Sequence, residues 1–121
     1  MTPVRPRWLT AAIWLLQILV AVAFFFAGGA KLAGAAPMVD MYNTIGWGQW
    51  FRYVTGVIEV GSAILVLIPS LAAYGAVLLV CTMAGAVVAH LTALHTPPTG
   101  PIGLFCLSAA IAWFRRPAAR I

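Results

Sequence analysis

Four long apolar runs alternate with short polar, glycine- or proline-rich stretches along this chain. The first covers about residues 8–30, the second about 51–68, the third about 71–94 and the fourth about 102–114. At 1.5 Å per residue, about 20 residues of helix cross the hydrocarbon of a bilayer. The first three runs meet that length or approach it. Gly28 and Gly29 loosen the end of the first, and Lys31 marks its boundary. Pro69 and Ser70 make a tight turn between the second and third. Thr96-Pro97-Pro98-Thr99-Gly100-Pro101 is a loop before the fourth. That last run is short and is stopped by Arg115-Arg116-Pro117. It therefore starts inside the loop or sits in a locally thinned bilayer.

The stretch between the first two runs, about 32–50, has a different pattern. Pro37 favours the start of a short helix, with Asp40 near its first turns, where a negative charge suits the dipole. Met38, Met41, Tyr42, Ile45, Trp47 and Trp50 give it an apolar, aromatic side suited to the membrane interface. An interfacial anchor and a lid over a cavity both fit. The pattern predicts an all-α fold: an integral membrane four-helix bundle with a short interfacial connector between the first two helices, spanning 1–121 as one domain.

Composition supports lipid as the solvent. The 121 residues are 64% hydrophobic and 7% charged, against about 25% charged in soluble domains. The formal charge of +5 could suggest nucleic acid, but its placement excludes a binding stripe. Arg5 and Arg7 precede the first run, and Arg115, Arg116 and Arg120 follow the last. Lys31, Asp40, Arg52 and Glu59 cancel one another. Basic ends flanking apolar runs read as the positive-inside signal, and four spans then put both termini in the cytoplasm. The first run is longer than the 7–15 residues of a signal-peptide core, so a retained helix is expected.

Candidate chemistry centres on Glu59. A carboxylate deep in a spanning helix costs about 2.5–3.5 kcal/mol on insertion scales and needs a partner, a proton or a task. The topology brings Lys31, Asp40, Arg52, Glu59 and His90 into the outer half of the membrane, with Glu59 about 10 Å below Arg52. Arg52, Gly56, Glu59 and Ala63 share one helical stripe. So do Ala23, Ala27 and Lys31, and likewise Thr82, Ala86 and His90. Small residues on these faces permit close helix contact, which points the ionisable groups into the bundle.

Two readings of this cluster stand side by side. In one it is a neutral network fixing helix register, with Lys31 or Arg52 on Glu59 and Asp40 on the other cation. In the other it forms an outward-opening pocket, lined also by Trp47, Tyr53 and Gly56, that takes a quinone, a lipid headgroup or another small molecule, or relays protons. No metal site is expected, because His90 and His95 are not spaced for one helical face. Cys81 and Cys106 lie in apolar runs and are expected to be buried, inert thiols. No phosphate loop, nucleophile elbow or close carboxylate pair is present.

Several blocks resemble the DoxX-like family of membrane proteins. Phe-Ala-Gly-Gly-Ala-Lys-Leu at 26–32 is similar to the end of their first helix. Ile-Gly-Trp-Gly-Gln-Trp-Phe-Arg-Tyr-Val-Thr-Gly-Val-Ile-Glu-Val-Gly at 45–61 resembles their second block. Tyr74-Gly-Ala, Met83-Ala-Gly-Ala, Ala89-His90 and the Trp113-Phe-Arg-Arg ending also fit. The resemblance covers nearly the whole chain. It implies a four-helix membrane protein in which Lys31, Arg52, Glu59 and His90 are recurrent polar positions. It also implies a subunit or assembly partner, since relatives are linked to thiosulfate:quinone oxidoreductase and to oxidative-stress complexes. The expected setting is a bacterial plasma membrane. The expected partners are the lipid bilayer, a membrane or redox protein, and further copies of the chain. No cofactor motif is evident; quinone is the one candidate cofactor. Whether the chain is an enzyme is left open by the sequence.

Overall fold

The computed structural model describes residues 5–116; Pro117 and Arg120 lie outside them. The described residues form five helices: α1 (Arg7–Ala33), α2 (Ala36–Ile45), α3 (Gln49–Val66), α4 (Ala72–Thr92) and α5 (Thr99–Phe114). The fold is all-α, as the pattern predicts.

Backbone chemistry sets the helix boundaries. Gly34 takes a left-handed conformation with φ of 74°, and its N–H returns to the Ala30 and Lys31 carbonyls to close α1. Gly46 closes α2 in the same way, with φ of 85°. Pro37 falls in the first turn of α2, where its missing N–H costs nothing. The connector is thus mostly helix rather than an irregular segment. Asp40, however, lies past the first turn and is exposed, so the expected dipole role does not apply. The helix α5 begins at Thr99, inside the proline-rich loop, which lengthens the short fourth run.

The helix α1 packs on α3, α3 on α4, α4 on α5, and α5 closes back on α1, while α2 crosses α3. The core between them is built from Val20, Phe24, Ala63, Val66, Ala76, Leu79 and Ile111, all fully buried. Close approach is set by glycine. A Cβ on Gly28 would stand 3.0 Å from the Gly56 carbonyl oxygen, and one on Gly56 would stand 3.1 Å from the Gly28 carbonyl oxygen. The two helices therefore touch backbone to backbone. Gly75 plays the same part between α4 and α3, where a Cβ would come 2.8 Å from the Ser62 carbonyl oxygen.

Two of these helices, α1 and α4, are long and apolar enough to cross a membrane, and α5 is a shorter apolar helix. Large apolar side chains such as Leu19, Val22, Phe26, Val88 and Leu91 point outward. Water disfavours such a surface, and lipid accepts it. Cys81 and Cys106 belong to this outward surface: both are free and exposed, not buried as expected. An apolar run does not say which of its faces meets the core when every face is apolar.

Candidate functional site

The helices α1 and α3 cross at Gly28 and Gly56, and each carries its ionisable residue three positions further on. The helices run antiparallel, so Lys31 and Glu59 flank the contact on opposite sides and reach across it: Lys31 Nζ lies 3.0 Å from Glu59 Oε1. Glu59 is 1% exposed, and the Lys31 side chain is 13% exposed. The carboxylate thus sits behind the ammonium, which retains a partial opening.

Arg52 shares the buried stripe with Gly56, Glu59 and Ala63 but serves another purpose. Its guanidinium donates to the Lys31 carbonyl oxygen, and its Nε donates to Gln49 Oε1 at 2.7 Å. It also stands 4.3 Å from the centre of the Tyr53 ring. A cation on the last carbonyls of α1 meets the negative end of that helix, which stabilises buried charge without a carboxylate. Gln49 Nε2 in turn donates to the Val39 carbonyl oxygen and to Asn43 Oδ1, fastening α2 to α3. Asp40 remains exposed, and no ion pair forms there among the described residues.

A cavity of about 820 Å³ opens beside the Lys31–Glu59 pair. Its wall is mainly apolar and aromatic, with Phe24, Met38, Met41, Trp47, Phe51 and Leu104 contributing. Polar groups on it are Lys31, Tyr42, Thr55, Glu59, Thr82, His90 and Thr92. His90 Nδ1 is 2.6 Å from the Thr96 hydroxyl, and the Thr96 N–H donates to the His90 carbonyl oxygen. Burial raises the Tyr42 hydroxyl above its usual pKa; the Thr55 hydroxyl opposes this, Glu59 adds to it and Arg52 opposes it.

Of the residues singled out in the sequence, the cavity wall brings together Lys31, Glu59, His90 and Trp47. It does not include Asp40, Arg52, Tyr53 or Gly56. Gly56 lies in the helix crossing, and Tyr53 lies under Arg52 on an exposed face. Among the described residues no group of three or more His, Cys, Asp or Glu could hold a metal ion.

A second polar contact, at the far end of the bundle, was not anticipated. Gln17 is fully buried, and its Nε2 donates to the Val66 carbonyl oxygen at 2.7 Å. Its Oε1 accepts from Arg115 Nε at 2.9 Å. Arg115 is 9% exposed and faces the Trp14 ring. In the sequence Arg115 has the look of a terminal charge only. The available signal was Gln17, a lone amide within the first apolar run.

Two membrane-length apolar helices and an outward apolar surface point to a membrane protein, and the family match agrees. Residues 15–114 match the DoxX-like family, and the chain belongs to it. No curated protein and no solved structure matches the chain.

Proposed function

We propose that the chain is a four-helix membrane module that holds a quinone-like or lipidic small molecule in the cavity beside Lys31 and Glu59. The observation that carries this reading is the cavity itself. Its volume of about 820 Å³ falls in the range of ordinary ligand sites, and its apolar wall carries a few convergent polar groups. The Lys31–Glu59 pair supplies a hydrogen-bond donor and, taken together, no net charge. A neutral polar head on an apolar body is the matching chemistry. Both termini then face the cytoplasm, and the α2 side faces the opposite surface, where Trp47 and Trp50 meet the interface.

Gly85 provides the test. It lines the cavity, and a Cβ there would meet no atom within 4 Å. Gly85→Leu should occupy the space while leaving the helix contacts intact. Native mass spectrometry of the protein released from mild detergent should find a bound small molecule in the wild type and not in the variant, at similar thermal stability. An unliganded wild type that also fails to take up added quinone or lipid would refute the reading.

A second reading, a small subunit or assembly partner of a redox complex, is supported by the short connections between helices, the longest being 93–98. They leave little surface outside the membrane for independent chemistry. Affinity purification in mild detergent tests it; a chain recovered alone, with no stable partner or second copy, would count against it.

A further inference from the structure

The cavity has an inner side and an outer side. Lys31 and Glu59 mark the inner side, where α1 meets α3. The outer side is a slot between α3 and α4. Val54 and Ile58, four residues apart, form its α3 lip. Leu78, Cys81, Gly85 and Val88 form its α4 lip at steps of three and four, which is one helical stripe. All six line the cavity, and all six are exposed. Val57 and Val77 stand beside the lips, exposed without lining the cavity, so the slot is continuous with the outward apolar surface.

The register of the two lips follows from the contact below them. A Cβ on Gly75 would meet the Ser62 carbonyl oxygen at 2.8 Å and the Val66 nitrogen at 3.1 Å, so Gly75 lies level with the middle of 62–66. The short turn at 67–71 makes α3 and α4 antiparallel. Counting equal rises outward from that contact, Ile58 comes level with Cys81 and Val54 with Gly85. Gly56 falls between these two levels, and the Lys31–Glu59 pair reaches across the helix crossing there. The polar pair thus sits at the height of the slot. At the end of the bundle away from the turn, α2 adds Met38, Met41, Tyr42 and Ile45 to the wall.

Resting on the reading above, we propose that the ligand is an acyl lipid with a small neutral head, which enters sideways from the bilayer, head first, and keeps its chain in the slot and the lipid beyond it. Glu59 Oε1 stands 3.0 Å from the Lys31 ammonium, which has three N–H groups, so others remain for an ester carbonyl or hydroxyl oxygen. The pair carries no net charge, and an anionic head gains less there. A chain lying between apolar lips never meets water, so it needs no enclosed pocket of its own length.

The purified protein in mild detergent is incubated with each of three probes and read by native mass spectrometry. The probes are a monoacylglycerol, the same monoacylglycerol with a pyrene at its chain end, and a short-chain quinone. Wild type should retain both monoacylglycerols to the same extent, because the bulky end stays outside the protein. Val54→Trp narrows the slot and should lower retention of both severalfold at unchanged thermal stability. Val57→Trp and Val77→Trp, beside the lips, should leave retention as it is. Retention of the plain chain without the pyrene chain would overturn sideways entry, since it calls for an enclosed tail, and would leave the ligand cavity standing. Equal retention by Val54→Trp and Val57→Trp would overturn the slot as the route. Retention of the quinone alone would overturn the acyl class. If the wild type retains no probe and no cellular small molecule, this proposal and the ligand-cavity reading both fall.

Discussion

Gly28 and Gly29 are adjacent on α1, yet they should respond oppositely to alanine. A Cβ on Gly28 would lie 2.8 Å from Val60 Cγ2, 3.0 Å from the Gly56 carbonyl oxygen and 3.1 Å from Glu59 Cβ. Val60 can give way, but the Gly56 carbonyl is backbone and cannot without moving α3. A Cβ on Gly29 would meet nothing within 4 Å. Both substitutions gain the same intrinsic helix preference, about 0.8–1 kcal/mol, so that term cancels between them. The remaining difference is the overpacking at Gly28, about 1–3 kcal/mol. Gly29→Ala should therefore raise stability slightly, and Gly28→Ala should fall below it by that margin. Unfolding in mixed micelles, followed by circular dichroism across a denaturing-detergent gradient, measures the gap. Adding Val60→Ala to Gly28→Ala should recover part of it. Equal stability of the two single variants would refute the backbone-to-backbone crossing, and with it the account of how Lys31 reaches Glu59.

Lys31→Met alone leaves a buried carboxylate unpaired and should cost about 3–5 kcal/mol, while Lys31→Met/Glu59→Leu should be near neutral or stabilising; the same unfolding assay separates them. Gln17→Leu removes the bonds to Val66 and Arg115 and should cost about 1–3 kcal/mol, again by unfolding. Cys81 lines the cavity and Cys106 lines a separate hollow with Ala84, Val87, Ile102 and Phe105. A membrane-permeant maleimide should therefore label Cys81 more slowly when benzoquinone is present, with Cys106 unchanged. Arg52→Ala should loosen the end of α1 and speed amide exchange around Gly34 and Ala35.

The sequence carried the helices well because long apolar runs, glycine stops and proline breaks act locally. That Glu59 needs a cation was also accessible, since a buried carboxylate demands a partner, but the choice of Lys31 over Arg52 was not. Nor were the roles of Arg52, Asp40 and Tyr53. A cation that caps a helix end looks, in sequence, like one that awaits a carboxylate. The exposure of Cys81 and Cys106 was hidden for a related reason: when a helix is apolar all round, periodicity cannot say which side meets the core. Gln17 was overlooked because an uncharged amide carries little weight in a charge count, although a buried amide must still find its partners.

The Lys31–Glu59 pair has a consequence for how the chain is made. The helix α3, with Arg52 and Glu59 in it, is not among the helices apolar enough to cross a membrane by composition. On the four-span reading, it enters the bilayer as a companion of α1, which has been synthesised first and waits with Lys31 at its end. The pair then offsets the cost of bringing the Glu59 carboxylate into lipid, with a cation from a helix made earlier in the chain.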